Sequence, residues 1–261
     1  MQKGILLFFS VLQVCLFSEL VIAQDFLEDV NGDGIVSHVA IGDSLTYGVG
    51  DGTSIGDFVE EVPLTDGRSG YTSRVESLTG IDIQNRGIPG ERLITEGVYS
   101  APGLINSSSV DGVFIMYGTN DAIFQEDRSD YRRSLQRVIN VAKANGKRIL
   151  LITLPPPCCN HEGVDLFTNS YNSAIQTLSS ANEVPIADVA GAWATTCNNR
   201  GECELYNLPE GLHPNESGYD VLSQMVVGAM YGVNLLAEGG AAELEAMLEL
   251  PEGTIIVKAA G

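Results

Sequence analysis

Five short apolar runs alternate with helical segments along this chain, and that alternation restricts what it can fold into. The runs are residues 38–41, 81–83, 113–116, 149–152 and 185–189. Between and after them, residues 71–78, 130–144, 170–178 and a stretch from Asn215 through Val221, Met225 and Val226 repeat apolar positions at helical spacing. In the second of these, Tyr131, Leu135, Val138 and Ile139 share one face. Short buried strands alternating with helices call for a mostly parallel sheet covered on both sides, so the chain is expected to be α/β. Polar or glycine-rich segments follow the first three runs: Gly42-Asp43-Ser44, Asn85 to Gly90, and Gly118-Thr119-Asn120-Asp121. Ligands of such sheets bind beyond the carboxyl ends of the strands, so these segments are expected to converge at one edge.

The ends read differently. Lys3, the apolar run 4–17 and the Val21-Ile22-Ala23 patch have the layout of a secretory signal peptide cleaved after Ala23. Gln13 and Glu19 interrupt the run, which disfavours a membrane anchor, and Cys15 falls in the discarded peptide. The mature protein is therefore expected to be secreted or periplasmic, with no stable membrane anchor. Residues 24–35 are expected to form an acidic lead, residues 36–236 the main α/β domain, and residues 237–261 a C-terminal extension of unknown role. Within that extension residues 238–250 read as a helix and 254–258 as a strand.

A formal net charge of −20 repels anionic partners, so nucleic acid is not an expected ligand and anionic membrane surfaces are disfavoured. Four cysteines follow the signal: Cys158, Cys159, Cys197 and Cys203. In an exported chain they suggest two disulfides with three connectivities; a metal cluster with His161 is the competing reading, and the usual C-x-x-C spacing of such clusters is missing. In the lead, Asp29-Val30-Asn31-Gly32-Asp33-Gly34 has oxygen ligands at alternate positions and glycine at the sixth, which suits calcium at Asp29, Asn31 and Asp33. The twelfth position is Ala40, inside the first strand, so a full EF-hand is excluded. A partial calcium clip and an ordinary acidic turn both stay open.

Ser44 follows a buried strand on a sharp turn; a capping serine is the plainer reading of that residue. His213 is preceded at three residues by Glu210 and followed by a helix start. A serine nucleophile needs a base, and the base needs an acid to fix its tautomer; Glu210 and His213 supply that pair within one turn. Asn120 carries an amide able to donate to a developing oxyanion, and Gly90 lets the backbone approach a substrate closely, where a side chain would obstruct.

Together these segments resemble the SGNH (GDSL) hydrolase family. Gly42-Asp43-Ser44-Leu45, Asn85 with Gly90, Gly118-Thr119-Asn120-Asp121 and Glu210-Gly211-Leu212-His213-Pro214 match its blocks in order. The resemblance implies a flavodoxin-like three-layer α/β/α sandwich with a mostly parallel five-stranded sheet. It also implies an oxyanion hole from the Ser44 and Gly90 amides and the Asn120 side chain. Glu210 departs from the family's usual Asp, leaving either a Ser44–His213–Glu210 triad or a dyad oriented by a backbone carbonyl. In the family's sheet order the fourth and fifth strands are neighbours, which leads us to expect crossed disulfides between the 158–159 and 197–203 loops. The expected activity is a serine esterase acting on small neutral esters or acetylated carbohydrates, with no cofactor required. A lysophospholipase-like enzyme and a non-catalytic carbohydrate-binding module on the same fold are the alternatives.

Overall fold

The computed structural model describes residues 25–51, 70–107, 109–197 and 203–248. The signal segment, Cys15 and the strand expected at 254–258 lie outside the described residues. Strand β1 (Ser37–Gly42) leads through the one-turn helix α1 (Ser44–Tyr47) to α2 (Gly70–Thr79) and β2 (Asp82–Gly87). A π turn at Leu93–Gly97 precedes α3 (Val98–Ser107), followed by β3 (Gly112–Met116), α4 (Thr119–Ile123), α5 (Arg128–Ala144) and β4 (Arg148–Ile152). Then come α6 (Asp165–Asn182), β5 (Ile186–Ala187), α7 (Val189–Thr196), α8 (Glu216–Met230) and α9 (Gly240–Met247).

All five strands are parallel, in the order β2-β1-β3-β4-β5. That is the flavodoxin-like order. The central strands β1 and β3 are buried at every position, which is why they read as continuous apolar runs. Strand β2 sits at an edge and alternates. Helices α2, α7 and α8 pack together, as do α3, α5 and α6, giving the two outer layers. Helix α5 starts two residues before its expected boundary because Asp127 caps it, accepting the Ser129 and Asp130 amides.

Both ends of the described chain join the core. Phe26 is buried, and its carbonyl lies 3.0 Å from His38 Nε2. Burial lowers the pKa of His38 to about 4, against the opposing Phe26 hydrogen bond and Asp111 charge, so this histidine is a neutral core group. At the other end, Ala241 and Leu244 of α9 are buried, which ties the start of the C-terminal extension to the domain. The lead closes on its own backbone: Asp29 accepts the Gly32 and Gly34 amides, and Asn31 Oδ1 accepts that of Asp33.

The cysteines depart from the crossed pairing. Cys158 is bonded to Cys159, and Cys197 to Cys203. The two loops do lie side by side, lining one cavity with Trp193 and Tyr206. Adjacent pairing is accommodated by the backbone: Cys159 takes φ +60°, and the Cys158 amide is committed to Gly211 O at 2.9 Å. Cys197 and Cys203 stand 5.0 Å apart at Cα, an ordinary disulfide span, so they close a local loop instead of reaching across.

Candidate active site

Register sets the site. Gly42 at the end of β1 pairs with Gly87 of β2 and Met116 of β3, so the three segments that follow leave the sheet at one level. Residue 87 must be glycine for the turns to meet, because a Cβ there would run into the backbone nitrogen of Tyr47. Asn85 secures the same junction, donating to Thr46 O at 2.8 Å and Thr72 Oγ1 at 3.0 Å.

Ser44 and His213 come from opposite ends of the domain and meet at Oγ to Nε2, 3.0 Å. Both are buried. The other ring nitrogen, Nδ1, donates to Glu210 Oε1 at 2.6 Å. Burial pushes the Glu210 carboxyl up, but the hydrogen bonds from the His213 ring, the His213 and Leu212 amides and the imidazole charge outweigh it and hold the group below its usual range. An ionised acceptor at Nδ1 leaves Nε2 as the lone-pair nitrogen facing the Ser44 hydroxyl. Glu210 thus reaches the ring despite its extra methylene, through a loop braced on both sides. His161 Nδ1 donates to Glu210 O at 2.7 Å, and Asn207 Nδ2 donates to His213 O, Pro214 O and Gly50 O at 3.0–3.2 Å. His161 therefore serves the acid-bearing turn. Among the described residues no group of three or more His, Cys, Asp or Glu is placed to hold a metal ion.

Gly90 has φ +81°, and a Cβ there would meet no atom within 4 Å. The space beside it is open, so the obstruction expected of a side chain would fall on a substrate and on the backbone conformation. Asn120, half-buried at the first turn of α4, donates one amide hydrogen to Glu91 O at 3.2 Å. Its second amide hydrogen is the one able to meet an oxyanion.

The roles of two groups escaped the sequence reading. Glu91, next to Gly90, is buried; its carboxylate accepts the Tyr117 hydroxyl at 2.8 Å and the Ser100 hydroxyl. Tyr117 leads directly into the Gly118–Asp121 segment, so one carboxylate ties the Gly90 turn to the Asn120 turn. Asp43 is fully buried and caps α1 through the Leu45 amide at 3.0 Å. Burial raises its pKa to about 7, opposed by that amide and by the His213 charge and reinforced by Asp121.

The family profile of GDSL-like lipases/acylhydrolases matches residues 40–221. A search of curated protein sequences returns no match. Among solved structures, a variant of Axe2, an acetyl xylan esterase from Geobacillus stearothermophilus, is 20% identical with TM-score 0.60, over 75% of this chain and 96% of that one. A lipase/acylhydrolase from Enterococcus faecalis is 21% identical with TM-score 0.58, over 76% and 96%. LAE5, an α/β hydrolase enzyme from the metagenome of Lake Arreo, is 20% identical with TM-score 0.60, over 76% and 96%. These likenesses support the sheet order and layers described above. With the profile spanning most of the sheet and every segment that meets at its edge, this chain belongs to the GDSL-like lipase/acylhydrolase family and is a carboxylic ester hydrolase.

Proposed function

We propose that this esterase removes short acyl groups, acetyl above all, from neutral carbohydrate esters by way of an acyl-enzyme on Ser44. The observation that carries the reading is the unbroken line from Glu210 through His213 to Ser44, with contacts of 2.6 and 3.0 Å. Ser44 Oγ attacks the ester carbonyl as its proton passes to His213 Nε2. The oxyanion is met by the Ser44 and Gly90 amides and the second Asn120 amide hydrogen. The intermediate collapses, the ester C–O bond breaks, and the alcohol leaves with the proton from His213. Water then attacks the acyl-serine, again giving its proton to His213, and the acid departs as Ser44 regains its hydrogen. Each step draws on groups of this chain.

The choice of alcohol rests on charge and on resemblance. The net charge of −20 disfavours anionic lipids and acidic polymers. Axe2, with the same fold, is an acetyl xylan esterase. Export belongs to the same proposal: residues 1–23 would direct the chain out of the cytoplasm, away from acyl-CoA thioesters. A mature N-terminus at Gln24 in secreted material is the expected outcome. The function is tested by release of acetate from acetylated xylo-oligosaccharides and of nitrophenol from 4-nitrophenyl acetate. Both should vanish in Ser44→Ala with the melting temperature retained; turnover near wild type in that variant overturns the mechanism.

A further inference from the structure

Phe124 holds a large aromatic ring in solvent beside the candidate site, 62% exposed. It caps the end of α4, and its amide donates to Asn120 O at 3.0 Å. Residues four apart on a helix share a side, so Phe124 stands one turn, about 5.4 Å, beyond Asn120 on the same face. The segment after Gly90 runs alongside both residues. Glu91 O takes the Asn120 amide at 3.2 Å, and the next residue, Arg92, lays its guanidinium over the Phe124 ring, 4.6 Å from its centre. Arg92 is itself held by Glu96 at 3.2 Å and Glu126 at 3.1 Å. The ring is therefore held from one face by a cation whose own partners are the Glu96 and Glu126 carboxylates.

Exposed apolar side chains are common singly and need no ligand to explain them. What distinguishes Phe124 is its anchoring and its place, one turn from an oxyanion donor. The chemistry around it selects the occupant. A hydrocarbon tail laid on the ring would strip water from the Arg92, Glu96 and Glu126 charges without replacing their hydrogen bonds. A pyranose presents C–H groups from its face and hydroxyls from its rim, so the ring and the charges gathered at Arg92 are both served. It is also neutral, as a chain of charge −20 favours.

We propose that Phe124, with Arg92 packed on it, is a platform for a sugar ring in the alcohol half of the ester. The platform rests on the carbohydrate-ester reading above and adds a subsite to it. The test compares kcat/KM on acetylated xylo-oligosaccharides with kcat/KM on 4-nitrophenyl acetate in wild type, Phe124→Ala and Phe124→Tyr. The ratio of the two should fall about tenfold in the Ala variant, through KM on the saccharide, and return to within about twofold in the Tyr variant. A ratio unchanged by Phe124→Ala overturns the platform and leaves the esterase standing. Wild type that cleaves 4-nitrophenyl acetate but frees no acetate from the saccharide overturns the carbohydrate reading and the platform with it. A change confined to the preference for 4-nitrophenyl hexanoate over the acetate would place the ring against the acyl half and overturn the assignment.

Discussion

Glu210 holds His213 at two points: Oε1 accepts the ring Nδ1–H at 2.6 Å and Oε2 accepts the backbone amide at 2.9 Å. The carboxylate fixes both the tautomer of the imidazole and the path of the chain that carries it. Glu210→Gln leaves one acceptor oxygen for the His213 ring and the His213 and Leu212 amides, and kcat should fall about 10²–10⁴-fold with little change in KM. Glu210→Asp keeps the charge but is one methylene short of spanning both donors, so it should recover part of the rate. Steady-state kinetics of the two variants decide; full activity in the Gln variant would leave the histidine oriented by backbone alone.

Asn120 and Gly90 differ in how they are expected to fail. Asn120→Ala removes one oxyanion donor and should cost about 10²–10³ in kcat. Gly90→Ala places its methyl in open space, so the protein itself offers no clash. The cost comes from φ +81°, which is unfavourable for a residue with a Cβ by about 1–2 kcal/mol and will turn the amide away from its aim. Melting temperature and kcat should fall together in Gly90→Ala, whereas Asn120→Ala should lose kcat alone.

Glu91 gives a test of coupling. Its carboxylate joins the turn carrying the Gly90 amide to Tyr117, and its carbonyl takes the Asn120 amide. Glu91→Ala should lower kcat about tenfold or more and leave the buried Tyr117 hydroxyl without its acceptor, at about 1–3 kcal/mol of stability. Combined with Asn120→Ala, the losses in activation free energy should sum to less than the two singles. Strict additivity would show that Glu91 and Asn120 act on the rate independently, without coupling.

Asp43 makes stability depend on pH in an unusual direction for a carboxylate. Its folded pKa is raised to about 7 by burial, above the ordinary value of 3.8. Below 3.8 the group is protonated in both states. Between 3.8 and about 7 the unfolded chain releases the proton and the folded chain keeps it, so this group's contribution to stability declines as pH rises and levels off beyond. Asp43→Asn removes that contribution. Melting curves from pH 4 to 7 should show a wild-type minus Asn difference that moves against the wild type as pH increases; a difference independent of pH would contradict the assignment.

The strands and the four active-site segments were legible because their signals are local. A strand buried on both faces is a run of apolar letters, as in β3, and a motif on a turn is a fixed string. Helix α3 was not anticipated, since Pro102 stands inside it and reads as a break. Glu91 escaped because its partners, Ser100 and Tyr117, lie 9 and 26 residues away with no periodicity to connect them. The cysteine pairing depended on which sulfurs the folded loops bring together, which no letter specifies, and Phe124 looks in the sequence like any other apolar residue.

The separation of 169 residues between Ser44 and His213 has a consequence for synthesis. The serine, Gly90 and Asn120 emerge from the ribosome early, on the first three strands. The base arrives with the turn before α8, and that helix must pack against α2, with Tyr219 hydrogen-bonded to Val49 O at 2.8 Å, before it is in place. On the proposed mechanism a nascent chain is hydrolytically silent until α8 docks, and ester turnover would serve as a direct clock for that packing step.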